Sequence, residues 1–311
     1  MKRMFLVSML LLIGFGLSCV EVGGHITRNT TWSPVNSPYI ITSYLYIDAG
    51  YTLTILPGTQ ILCTGANKNY TNNFVFRGSA EPWAKMIIVN GSIQAKGTRE
   101  QPILFDRYQN EDNIRWGGIY MSPEAPISTF EYCEFRNTFY CDYVPGEWSL
   151  AAIDFDNGII NVRSCVFENN LNAIRTGFLQ SDILIYDCKF ISVNDTYPTP
   201  FGTTGFFGFS AAPEPVPETY YKVTIAKCYF TGSAAIGPVG YYMDILFLNN
   251  YLENFRYRDT RSEARLEDFG PVNSYGNTII NGKFGIGCRT PTVSDTAYAR
   301  RNRIIKVEDA V

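Results

Sequence analysis

A short pattern, Cys-X-Phe, recurs along this 311-residue chain at Cys133/Phe135, Cys165/Phe167, Cys188/Phe190 and Cys228/Phe230. Three positions before each Cys stand Phe130, Val162, Ile185 and Ile225; five before stand Ser128, Ile160, Ile183 and Val223. The same register continues with Asn in the Cys position at Asn250, Asn277 and Asn302. Successive spacings are 32, 23, 40, 22, 27 and 25 residues. A floor near 22 with variable excess is the signature of a solenoid whose coils carry loop insertions. Alternation before the Cys or Asn is strand-like, and that residue then breaks it, so it marks a bend between two short strands. Leucine-rich repeats need a Leu spacing that this chain lacks. The fold read from the residues is all-β: a right-handed parallel β-helix.

Stacked coils bring equivalent residues to about 4.8 Å from one another. Asn at the bend then forms an amide ladder, and Cys fills the same inward slot as a small, soft hydrophobe. The reading of these cysteines is a buried stack of reduced thiols. Disulfides between adjacent coils are the alternative, although directly stacked Cβ vectors aim poorly for one. No close Cys pair suggests a metal site.

The first third of the chain joins the pattern through short strands punctuated by Gly-containing turns, such as Leu56-Pro57-Gly58-Thr59, Asn90-Gly91 and Lys96-Gly97-Thr98. Thr52-Leu53-Thr54-Ile55, Pro57-Gly58-Thr59, Val89-Asn90-Gly91, Ala95-Lys96-Gly97-Thr98, Pro102-Ile103 and Trp116-Gly117-Gly118-Ile119 resemble bacterial secreted β-helix proteins of the pectin-lyase-like superfamily. The resemblance extends over residues 25–310. It implies the coil architecture and no chemistry, because that fold hosts lyases, hydrolases, tailspikes and adhesins.

Lys2 and Arg3 precede a short apolar run at 5–17, and Gly16-Leu17-Ser18-Cys19 follows. Residues 1–18 are therefore expected to be an export signal, with Cys19 as a candidate lipid-attachment residue. Residues 19–37 are expected to be linker and N-terminal cap, and 38–311 the β-helix. The protein is thus expected to be exported, either secreted or lipid-anchored at the cell envelope. Contact with a membrane is expected only through a lipid on Cys19.

Net charge is −3 with no basic run, so nucleic acid is not an expected partner. The single histidine, His25, excludes a Ser-His-Asp triad at any other position and a multi-histidine zinc site. Polygalacturonase and pectin methylesterase motifs are absent.

The three longest excesses, 138–150, 196–220 and 256–268, fall at one place in the coil and are expected to wall a groove on one side. Tyr140, Tyr143, Trp148, Phe201 and Phe206 are the candidate binding residues, since exposed rings stack on sugars or protein partners. In Ala152-Ile153-Asp154-Phe155-Asp156, alternation points Asp154 and Asp156 outward; in the next coil Arg175 points outward too. Two carboxylates beside an arginine resemble the calcium and basic residue of pectate lyases. That resemblance implies Asp154 and Asp156 as calcium ligands and Arg175 as a catalytic base. The plainer reading is a solvated, salt-bridged outer face and no cofactor.

These residues lead to two expectations: a surface β-helix that binds a polysaccharide or surface protein without turnover, or a calcium-assisted lyase of acidic polysaccharide. Arg300, Arg301, Arg303 and Lys306 close the chain on a charged last coil, an expected site of self-association or of protection from it.

Overall fold

The computed structural model describes residues 19–67, 84–109, 114–138, 141–144, 147–149, 151–155, 159–170, 172–176, 179, 181–191, 204–208, 221–232, 234–239, 243–253, 266–268, 272–281 and 299–305. For the strands at 141–144, 147–149 and 204–208 it describes the backbone. The expected export signal lies outside these residues.

Parallel strands stack coil upon coil on three faces, giving a right-handed parallel β-helix. The first face contains, among others, Gln60–Cys63, Ile103–Arg107, Cys133–Arg136, Val166–Glu168, Lys189–Ile191, Tyr229–Thr231, Tyr251–Glu253, Thr278–Ile280 and Arg303–Ile305. The second contains Ile87–Val89, Ile119–Met121, Ile153–Phe155, Asn172–Thr176, Thr204–Gly208, Ala234–Val239 and Leu266–Asp268. The third runs from Thr30–Trp32 through Ser128–Glu131 and Ile160–Arg163 to Val272–Tyr275 and Ala299–Arg300.

Strand pairing already begins at Val20. The strand Val20–Ile26 pairs in parallel with Tyr39–Ile47, and Thr30–Trp32 pairs with Thr52–Ile55. The segment expected as linker and cap is therefore the first coil. Its Val20, Val22 and Ile26 pack against the core, and Gly23-Gly24 masks their alternation in the sequence.

The Cys-X-Phe register is the spine of the first face. Phe105, Phe135, Phe167, Phe190 and Phe230 are buried and stack ring on ring, with centroids 4.5–5.1 Å apart and planes within 10°. One face of each coil thus contributes an aromatic side chain to a continuous inner column.

The bend residues explain why Cys and Asn interchange. Asn250 donates Nδ2 to the carbonyl of Ile225 at 2.9 Å and accepts the Cys228 N–H on Oδ1 at 2.8 Å; Asn277 does the same with Phe247 and Asn250. Cys165 and Cys188 direct Sγ to the equivalent preceding carbonyls, Phe130 at 3.4 Å and Val162 at 3.9 Å. The Cys228 Sγ in turn accepts the Cys188 N–H at 3.4 Å. A thiol is a weak donor and weak acceptor in one small group, and so reproduces the amide ladder's pattern at lower strength.

The residue before each ladder position has a positive φ: 48° at Tyr132, 52° at Ser164, 55° at Asp187 and Lys227, 52° at Asn249 and 68° at Gly276. Arg301, before Asn302, has φ 54° as well; this region disfavours most side chains, and the ladder holds six non-glycine residues there.

The spacing-based expectation for the thiols agrees with the structure: Cys133, Cys165, Cys188 and Cys228 are buried, in register and free. Burial pushes the thiols of Cys165, Cys188 and Cys228 well above their ordinary value of 9.0. Below that value both folded and unfolded thiols keep their protons. Above it the unfolded chain releases protons that the folded chain retains, so stability falls as pH rises. Each thiol contributes a loss of about 1.4 kcal/mol per pH unit. Cys188→Ala is therefore expected to remove about 1.4 kcal/mol in total from the decline across pH 8 to 10, taken as roughly one unit either side of the free thiol and read from urea unfolding. An unchanged slope would contradict the buried-thiol account.

At the far end, Ile304 packs partly against the core while Arg300, Arg301 and Arg303 are exposed. The edge is thus charged as expected; residues 306–311 lie outside the described set.

Candidate functional site

The second face carries the residues on which any chemistry would depend. Its strands alternate, so every middle residue points away from the core. Register makes these residues one row: His25, Tyr46, Ile88, Tyr120, Asp154, Arg175 and then the Phe207 position. The turn into this face uses Trp116-Gly117-Gly118. Gly118 has φ +81°, and a Cβ there would collide with the Ala151 carbonyl of the next coil. Glycine thus permits the close approach that sets Ile119 beside Ile153 and Tyr120 beside Asp154.

At the start of the row His25 stacks on Tyr46, with centroids 4.6 Å apart, and its Nδ1 lies 2.8 Å from Asp48 Oδ1. Further along, Ile88 and Tyr120 form a small buried cluster with Met86, against which Tyr44 and Tyr46 pack. This cluster lies on the outer side of the sheet, separate from the main core.

Asp154 and Arg175 come next, paired across adjacent coils. Arg175 donates through Nη1 to Asp154 Oδ1 at 2.8 Å and Oδ2 at 2.9 Å. Their side chains are 0% and 9% exposed. The expected direction, away from the core, holds. The expected solvated face does not: both residues are enclosed, and a correction is needed. Arg175 Nε and Thr176 Oγ1 are buried without hydrogen-bond partners among the described residues. A guanidinium this close neutralises Asp154 and occupies both of its oxygens. A calcium ligand needs an anionic oxygen free to face the ion, and Asp154 as placed does not offer one. Asp156, the other expected ligand, lies outside the described residues, and among these no group of three acidic, His or Cys side chains forms a metal cluster. Arg175 Nη1 is held 2.8 Å from a buried carboxylate oxygen, whereas a catalytic base has to reach a substrate proton.

The aromatic candidates divide. Tyr140 and Phe201 lie outside the described residues. Tyr143 and Trp148 sit in a small antiparallel pair, Cys141–Val144 with Glu147–Ser149, inserted between the first and second faces. Phe206 belongs to no insert: its strand, Thr204–Gly208, is a rung of the second face, with Phe206 in register with Ile174 and Ile236. The third expected insert likewise ends in a rung, Leu266–Asp268. Residues 192–203 and 254–265 lie outside the described set. Thr-Gly-Phe-Phe-Gly reads as loop in the sequence because its two glycines, depleted in strands, interrupt the pattern.

A second ladder went unread. Asn169 donates Nδ2 to Asn137 Oδ1 at 2.6 Å, and Asn137 donates to Asp106 at 2.8 Å. Asn137, Asn169, Gly232 and Asn281 all have positive φ at the bend leaving the first face. The signal was available: each stands four residues after a Cys or Asn of the first ladder.

Residues 24–137 match the family described as the pectate-lyase like beta helix domain. Over those residues the chain is similar to that family, in keeping with the stacked parallel coils. Comparisons with curated proteins and with solved structures gave no match. The family match ends at Asn137, before Asp154 and Arg175, and so assigns that pair no role.

Proposed function

We propose that this chain, similar over residues 24–137 to the pectate-lyase like beta helix domain, is an exported surface protein that binds a glycan or serves a structural, adhesive role without turnover. The observation that carries this reading is the closed Asp154–Arg175 pair. The one acid-and-base constellation that the sequence offered for lyase chemistry is occupied with itself and shut away from solvent. A catalytic base must reach the proton that it removes, and a guanidinium held 2.8 Å from a buried carboxylate is not free to do so.

What remains for function is surface. A rigid solenoid presents side chains in straight rows at one coil's spacing, which suits repetitive ligands such as polysaccharides or an extended protein partner. The strand pair that includes Tyr143 and Trp148 stands between the first and second faces, and this reading assigns sugar stacking to those two residue types.

A glycan array on the mature protein, with and without calcium, tests the reading. It expects binding to at least one polysaccharide class that persists when calcium is chelated. Binding that vanishes with the chelator would instead favour the calcium-dependent lyase.

A further inference from the structure

Each turn from the third face to the first leaves three side chains outside: the last third-face residue, the bend residue, and the residue after the inward ladder position. Because the ladder residue points into the core, these three form a convex edge. Six consecutive bends supply them at 163/164/166, 186/187/189, 226/227/229, 248/249/251, 275/276/278 and 300/301/303. Six of these positions are cationic: Arg163, Lys189, Lys227, Arg300, Arg301 and Arg303; Asp187 alone is acidic. The chain as a whole has a net charge of −3, so this edge concentrates cations against the overall balance. The preceding bend carries Glu131 and Glu134, which gives the cationic run a definite start.

Four tyrosines interleave with the cations. Arg163 from one neighbouring coil and Lys227 from the other each lie 5.3 Å from the Tyr186 ring centroid. Arg301 lies 5.5 Å from that of Tyr275, while Tyr229 and Tyr251 stack on each other at 5.8 Å. Among the described residues, Arg163, Lys189, Lys227, Arg301 and Arg303 form no ion pair with a carboxylate. Arg163, Lys227 and Arg301 are positioned over tyrosine rings rather than in carboxylate pairs.

A convex line cannot enclose a ligand, but a flat anionic surface meets all six bends at once. Five coil steps span about 24 Å. Lys and Arg beside half-exposed Tyr are the side chains that suit a membrane–water interface. Single-stranded nucleic acid would need free ring faces for base stacking, and here those faces hold cations or one another. Cys19 adds an independent observation. It is exposed, and register from Val20 through Tyr39, Ile61 and Phe105 puts it on the same outer row as Lys189, Tyr229, Tyr251 and Arg303. An acyl chain on Cys19 would lie at one end of the same edge.

We propose that this edge docks the solenoid lengthwise on an anionic phospholipid bilayer. The test uses the exported chain with Cys19→Ser, so that no acyl chain contributes. Co-sedimentation with phosphatidylcholine–phosphatidylglycerol vesicles is expected at low salt, with little binding to phosphatidylcholine alone and release as salt rises. A variant carrying Lys189→Glu, Lys227→Glu, Arg301→Glu and Arg303→Glu is expected to bind the anionic vesicles at least about a hundredfold more weakly. Lys96→Glu, outside the run, is the control and is expected to bind as the parent does. Equal binding to both vesicle types, undiminished binding by the fourfold variant, or binding to a soluble uronic-acid polymer with none to vesicles would each overturn the proposal.

Discussion

Asp154→Ala is expected to destabilise the protein by about 3–5 kcal/mol, because it leaves the Arg175 guanidinium buried and unpaired. The Asp154 carboxylate is fully enclosed, and both its oxygens accept from one Arg175 nitrogen. Arg175→Ala is expected to be destabilising as well, because it removes the guanidinium that both Asp154 oxygens accept from. The two losses are not additive, since each removes the same interaction. Asp154→Leu combined with Arg175→Met removes both charges and keeps most of the volume, and is expected to restore stability close to that of the parent. Urea unfolding of the parent, the single variants and the double variant measures this. Were Asp154→Ala to leave stability unchanged, the pair would not be the structural ion pair described here.

Phe167→Ala is expected to cost about 3–5 kcal/mol, the range for deleting a buried aromatic side chain. Phe167 is 2% exposed and sits mid-column, stacked on Phe135 at 5.0 Å and Phe190 at 5.1 Å. The loss removes two ring contacts as well as apolar burial, and no neighbour can relax into the gap without breaking the column's spacing. Tyr251→Ala on the outside of the same face is expected to change stability by no more than about 0.5 kcal/mol. Thermal and urea unfolding of the two variants compares them. A Phe167→Ala loss below that of Tyr251→Ala would contradict the placement of the aromatic column.

What the sequence revealed, and what it hid, follows from the range of the interactions. The Cys/Asn ladder was legible because each rung repeats a local constraint: one inward polar or thiol group, preceded by a left-handed bend and followed by Phe, Leu or Ile. Such a constraint recurs in every coil and survives the variable loops between them. The outward direction of Asp154 and Arg175 was legible for the same reason, through strand alternation. Their burial was not. Whether a residue on the outside of a sheet meets water depends on what chain packs over it, and no periodicity in Ile153–Phe155 records that. The same holds for Ile88 and Tyr120, which form an apolar cluster on the outer side of the sheet. The first coil was misread because Gly23-Gly24 interrupts the pattern of Val20–Ile26, and Phe206 because Gly205 and Gly208 interrupt its strand. The Asn137–Asn169 ladder was overlooked although its offset from the first ladder is constant.

The lyase and binding readings part at one measurement. The proposal that the protein binds without turnover rests on Asp154 and Arg175 forming a structural ion pair. Incubation of the mature protein with a panel of uronic-acid polymers in excess calcium, followed by detection of unsaturated sugar products, addresses that claim directly. No product above the level of a heat-unfolded control is expected on any polymer. Unsaturated product that appears with calcium, disappears with a chelator and is lost in a folded Arg175→Lys variant would contradict it.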